Sequence, residues 1–166
     1  MLHRSIAAVV AAVTDRFGGI DVLVNNAGYG VFGPLEGATS GQIELQFRTN
    51  VLGPLALIRQ VMPIMRGRRS GVIVNVSSIG GRMAAPFASL YHASKFAIEG
   101  FSESFRYEAG LHGIRVKLVE PAHFKTGFIS RSLRGTEHSA YETQFRNYME
   151  WVLMEDEKAG GPLPVA

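Results

Sequence analysis

Three short runs constrain the fold more than anything else in the chain: IDVLVNN (20–26), GVIVNVSS (71–78) and IRVKLVE (114–120). Each is rich in β-branched residues, almost continuously apolar apart from the lysine of the third, and bounded by turn formers. Such runs read as strands buried on both faces, the signature of a parallel sheet. Between them lie two long stretches of helical periodicity, 40–66 and 89–110. Before them, Ile6, Val9, Val10, Val13 and Phe17 recur at helical spacing until Gly18-Gly19 ends the pattern. Thr39 and Gln42 fit a capping box, and Ser89 is a candidate N-cap. Residues 125–158 read as loop with one or two helices. Strand, helix, strand, helix, strand implies β-α-β crossovers. The expectation is one α/β domain over 1–166, a partial doubly wound parallel sheet of about three strands with flanking helices.

Composition narrows the classes. The chain has 166 residues, 46% hydrophobic and 19% charged, enough for one globular core. It has no cysteine, which excludes a disulfide framework and cysteine-ligated zinc. Its five histidines show no metal-ligand spacing, so no metal is expected. The net charge is only +3, and Arg66, Arg68 and Arg69 form the single tight basic cluster. That is a solvated loop rather than a nucleic-acid face. Arg4 precedes a short apolar run, but no small-residue cleavage site follows and the pattern continues through Thr14, Asp15 and Arg16. No run has the length of a membrane span. Neither nucleic acid nor membrane is an expected partner, and the cytoplasm is the expected location.

The stretch VNNAGYGVFGP (24–34) places Gly28, Gly30 and Gly33 in a G-x-G-x-x-G spacing. A phosphate-binding turn of that type follows a strand and opens directly into a helix. Here Pro34, Gly37 and Gly41 delay the helix, so the match fails its context.

Other residues carry more chemical promise. Tyr91 and Lys95 are four apart on a predicted helix and share a face. An ammonium beside a phenol favours the phenolate, and the pair could exchange a proton with a carbonyl or alcohol. A surface helical pair has the same spacing. Ser78 ends the second strand, where ligands bind in open parallel sheets. Its hydroxyl could donate to a substrate oxygen, or serve only the turn through Gly80 and Gly81. Asn50 sits inside a long helix with Pro54 four positions on. Proline offers no N–H, so a kink and a freed Asn50 carbonyl are expected.

Asn25-Asn26-Ala27-Gly28, Asn50, Ser78 and Tyr91-His-Ala-Ser-Lys95 occur in the order and spacing of the short-chain dehydrogenase/reductase family, which the chain resembles over roughly 1–135. VEPAHFKT (119–126) is similar to that family's P-G-x-x-x-T segment, with Ala122 in place of the glycine. The resemblance implies a Rossmann-like NAD(P)-binding fold and hydride transfer between NAD or NADP and a secondary alcohol or ketone. It implies that Tyr91 exchanges the proton, that Lys95 lowers its pKa and binds the nicotinamide ribose, and that Ser78 steadies the substrate oxygen. It implies that the Asn50 carbonyl holds a water in a relay to Lys95. Asn25, Ala27 and Gly28 would lie along the adenosine side, and Pro121, Phe124 and Thr126 would border the nicotinamide. Phe145, Tyr148 and Trp151 fall at helical spacing, more often a packing pattern, but the resemblance implies that this region borders the substrate pocket and so favours an apolar substrate. The helices at 40–66 and 89–110 would pair copies of the chain into a homo-oligomer.

The family's G-x-x-x-G-x-G phosphate loop has no counterpart in residues 1–19. That predicts weak cofactor affinity and an unpaired apolar edge on the first strand. The alternative expectation is a truncated, inactive family member that associates as a scaffold or has no function of its own.

Overall fold

A computed structural model describes residues 2–124 and 128–161. Helix α1 (Leu2–Phe17) leads into strand β1 (Val22–Asn25) and a short strand β2 (Gly30–Phe32). Helix α2 (Ser40–Phe47), a π-helical turn (Arg48–Leu52) and α3 (Gly53–Arg68) follow as one long rod. Strand β3 (Gly71–Val76), helix α4 (Ser89–Gly110) and strand β4 (Ile114–Val119) complete the alternation. Helix α5 (Phe128–Ser132), strand β5 (Leu133–Gly135) and helix α6 (Glu142–Lys158) close the described chain.

The main sheet has the order β1-β3-β4 and is wholly parallel, with Val24 opposite Val74 and Ile73 opposite Val116. Parallel neighbours force a long return path, and the two crossover helices supply it. One face of the sheet packs on α1, α3 and α4. Ile6, Val10, Val61, Met65, Ile73 and Ile114 form its buried cluster.

The other face departs from the expected two-sided burial. Val22 and Val24 of β1 and Val119 of β4 are exposed, and only β3, paired on both sides, keeps its outer residues half-buried. β1 is an edge strand of this sheet, and its two exposed valines lie on the outer face. A β-branched run marks a strand, but burial of its second face depends on a layer that the run itself does not encode.

Local signals act where the residues are strongest. Thr39 caps α2 with a reciprocal capping box to Gln42. Arg48–Leu52 widens into a π-turn because Pro54 cannot donate to the Asn50 carbonyl, and the extra residue absorbs the misfit. Ser89 does not cap α4: Ala88 holds that position without a side-chain cap bond. The loop after β1 contains a strand that the sequence reading missed. β2 pairs in parallel with β5, over a hundred residues later and each only three residues long. Gly33 has a φ of 131°, and a Cβ there would run into the Thr136 backbone. The glycines after Gly28 thus serve close backbone packing.

Candidate active site

The carboxyl ends of β1 and β3 and the amino end of α4 converge at one end of the sheet. Ser78 follows β3, Tyr91 and Lys95 project from the first two turns of α4, and the loop after β1 supplies Gly28. They line one cavity of about 620 Å³. Ligand sites in open parallel sheets form at this end because the loops there diverge from the strands.

The Ser78 hydroxyl faces the Tyr91 phenol within hydrogen-bonding reach. Burial pushes the Tyr91 phenol above its usual value, and the Ser78 contact pulls it partly back. Lys95 is only 8% exposed. Burial brings its ammonium down to about 8, against an opposing pull from Glu99 one turn along the helix. The ammonium donates to the Val76 carbonyl at 3.0 Å and sits 5.8 Å from the Tyr91 ring centroid. The simple expectation of an ammonium lowering the phenol is therefore corrected: desolvation dominates both groups. The phenol keeps its proton at neutral pH, and the ammonium keeps its charge until about 8.

Ser78 Oγ accepts the Gly80 N–H at 3.0 Å. A hydroxyl has one proton, and with a lone pair occupied by Gly80 that proton is free to face Tyr91 or a substrate oxygen.

Asn50 is buried, but its side chain, more than its carbonyl, explains its position. Its Oδ1 accepts the Tyr29 N–H at 3.1 Å, while Nδ2 donates to the Tyr29 carbonyl at 2.8 Å and to Ser94 Oγ at 3.0 Å. Gln46, one turn earlier and fully buried, adds bonds to the Val31 N–H at 2.7 Å and the Tyr29 carbonyl at 2.8 Å. Together they pin the loop that carries Gly28 against α4. A Cβ on Gly28 would lie 3.3 Å from Asn50 Oδ1 and 3.9 Å from Lys95 Nζ. Sequence reasoning missed Gln46. Its separation of four from Asn50 put both on one helical face and was the available signal.

The remaining expected residues divide. Pro121 and Phe124 line the cavity with Gly28, and Asn26 joins them. Asn25 does not: it points into the fold and donates from Nδ2 to Asn75 Oδ1 at 2.8 Å. Ala27 is exposed and outside the cavity lining. Thr126 lies outside the described residues. Strand parity explains Asn25: Leu23 faces the core, so Asn25, two residues on, faces it too.

The far wall is apolar and aromatic, built from Phe32, Phe128, Tyr148 and Trp151. Phe32 and Phe128 lie 5.6 and 5.8 Å from the Tyr91 ring. Phe87, at a left-handed φ of 55°, holds α6 through Phe145 and Tyr148 at 5.4 and 5.7 Å. A contact of 3.1 Å between His123 Nε2 and Asp156 Oδ1 ties the loop after β4 to α6.

The residues on the cavity's near side suit the nicotinamide end of NAD(P). Lys95 has N–H bonds beyond the one given to Val76 for ribose hydroxyls, and Gly28 leaves room for close approach. Among the described residues, no helix is long and apolar enough to cross a membrane.

Comparison with known proteins agrees with this geometry. The sequence model of the short chain dehydrogenase family matches residues 2–136. An uncharacterized oxidoreductase of Schizosaccharomyces pombe is 41% identical over 162 residues, 98% of this chain and 69% of the relative. The crystal structure of a short-chain dehydrogenase from Streptomyces avermitilis superposes with a TM-score of 0.83 at 37% identity, covering 91% of this chain and 57% of that one. A metagenomic short-chain oxidoreductase solved with NADP gives a TM-score of 0.69 at 36% identity, covering 72% of this chain and 54% of that one. The chain thus spans between about half and two thirds of the length of these proteins.

Proposed function

The chain belongs to the short-chain dehydrogenase family, and from that premise we propose that it interconverts a secondary alcohol and a ketone with NAD or NADP. The observation that carries the reading is that Ser78, Tyr91 and Lys95 line one cavity, with Ser78 beside the Tyr91 phenol. When bound, the nicotinamide supplies or accepts the hydride. The chain's residues do the rest. Tyr91 O–H donates its proton to the carbonyl oxygen as negative charge builds there. Ser78 O–H donates to the same oxygen and holds it within reach. Lys95 binds the ribose hydroxyls and places positive charge near the phenolate that forms. The Asn50 side chain fixes the loop bearing Gly28, and its carbonyl holds a water that passes a proton toward Lys95. Asn26, Gly28, Pro121 and Phe124 border the cofactor.

Two features bear on the proton donor and on the substrate. Burial raises the Tyr91 phenol, so at neutral pH it carries a proton to donate. The wall opposite is aromatic, which rewards burial of a hydrocarbon body. A matched pair of experiments tests this. Titration with NADPH and with NADH should quench or shift fluorescence saturably, and a panel of alkyl and aryl ketones should be reduced. Absence of both binding and turnover contradicts the reading and favours the inactive scaffold.

Self-association belongs to the same proposal. Leu45, Leu52 and Phe96 stand exposed on the two long helical elements, and sedimentation should find a species larger than the monomer.

A further inference from the structure

We propose that His92 is a positioning residue that aims Ser78 through the Gly80 peptide. The inference rests on the dehydrogenase reading for its kinetic consequence, though its geometry stands apart from that reading. His92 adjoins Tyr91 on α4, and both of its ring nitrogens are engaged by backbone. Nε2 lies 2.9 Å from the Ala85 nitrogen, which can only donate. Nδ1 lies 2.8 Å from the Gly80 carbonyl oxygen, which can only accept. One donor and one acceptor on opposite sides leave a single neutral form: the proton sits on Nδ1, and Nε2 accepts. A ring so committed cannot act as an acid or base toward substrate, although it lines the cavity.

The bond to Gly80 has a consequence one peptide earlier. The Gly80 N–H donates to Ser78 Oγ at 3.0 Å. His92 fixes the carbonyl of Gly80, the residue whose own N–H occupies a lone pair of Ser78. The hydroxyl proton of Ser78 is then directed away from Gly80, toward the oxygen that reacts. The packing admits no slack: a Cβ on Gly80 would sit 3.0 Å from His92 Nδ1 and 3.1 Å from Tyr91 Cε1. The second arm, at Ala85, holds the far end of the same loop. His92 therefore ties both ends of the segment after β3 to the helix that carries Tyr91 and Lys95.

Two substitutions separate the arms. An asparagine amide reaches roughly where Nδ1 was and can still donate to Gly80. A glutamine carbonyl reaches roughly where Nε2 was and can still accept from Ala85. The proposal expects His92→Asn to keep kcat within about threefold of the parent. His92→Gln should lose about tenfold to a hundredfold in kcat, the scale of a misplaced catalytic group, with KM for NADPH unchanged. A merely structural histidine would leave the two variants alike, and equal kcat values overturn the proposal.

A second measurement is independent of turnover. In the 15N-labelled chain, long-range proton–nitrogen correlation should show His92 protonated at Nδ1 and bare at Nε2. Exchange of the Gly80 amide should be slow in the parent and in His92→Asn, and faster in His92→Gln. An Nε2–H tautomer, or equal Gly80 exchange in all three, overturns the proposal. Should the parent prove inactive while these signatures hold, the dehydrogenase reading falls and the tie between His92, Gly80 and Ser78 stands.

Discussion

The two ends of the sheet are built from opposite materials. Toward the amino ends of β3 and β4, the core is dry: Met65, Ile73 and Ala109 are fully buried, and Ile114 nearly so. Toward the carboxyl ends, the buried groups are polar: Asn25, Asn75, Ser77, Ser94, Lys95, Glu99 and Ser102. Helix α4 runs across both regions, from Lys95 at one end to Ala109 at the other. Asn75 bridges the strands to the helix, accepting from Asn25 and donating to Ser102 Oγ at 2.8 Å. Burying apolar surface stabilises a fold, whereas burying polar groups costs free energy unless every one is paired. At the polar end some are not: Ser77 Oγ and Asn25 Oδ1 have no hydrogen-bond partner among the described residues. The Glu99 carboxylate lacks a well-directed hydrogen bond as well, although Arg82 approaches it at 3.2 Å. The contrast teaches that apolar packing is concentrated at one end and the proposed chemistry at the other.

Substitutions should separate the two. Truncating Ile73→Ala at the dry end should cost about 2–5 kcal/mol in denaturant unfolding. Turnover per folded molecule should be unchanged, and a large catalytic loss in folded Ile73→Ala would erase the distinction. Ser78→Ala at the polar end should do the reverse. It should lower kcat by about a hundredfold, on the scale of one lost donor to a developing oxyanion, with little change in unfolding midpoint.

Lys95 sharpens the comparison further, because there the cost of function should be readable as pH dependence. The unfolded chain keeps the Lys95 proton up to 10.5, the folded chain only to about 8. Between those values the unfolded state binds more protons, so stability contributed by this group rises with pH. Lys95→Met should therefore be more stable than the parent at pH 7, by up to about 3 kcal/mol. The advantage should shrink as pH climbs from about 8 to 10.5. A parent that is equally stable at neutral pH would show that the ammonium is not desolvated. Lys95→Met should also lose NADPH binding. The smallest effect lies far from both ends: Thr39→Ala removes the capping box of α2 and should cost about 1 kcal/mol, with activity intact.

Much of the dry end was legible in the sequence. Runs of β-branched residues gave the strands within two residues of their observed ends, and helical periodicity placed α1 and α4. The Thr39 box announced α2, and Pro54 announced the disturbance that became a π-turn. Ser78, Tyr91 and Lys95 were legible as a set only because their order and spacing resemble the family's motifs; singly, each also fitted a turn or a surface helical pair. The rest needed three dimensions. β2 and β5 are too short for periodicity and too far apart in the chain for a local signal. The exposed outer valines depend on what covers a sheet, which no strand pattern states. The partners of Gln46, Asn75 and His92 are backbone groups or distant side chains, and polar residues inside elements carry no mark of where their bonds go.

The central claim is that Tyr91 serves chemistry and contributes little to the fold. Unfolding free energy and ketone-dependent NADPH oxidation, measured on one preparation of Tyr91→Phe, test it directly. The account predicts a loss of turnover of at least about a hundredfold with stability within about 1 kcal/mol of the parent. Retained turnover, or a protein that unfolds several kcal/mol more easily, would contradict it.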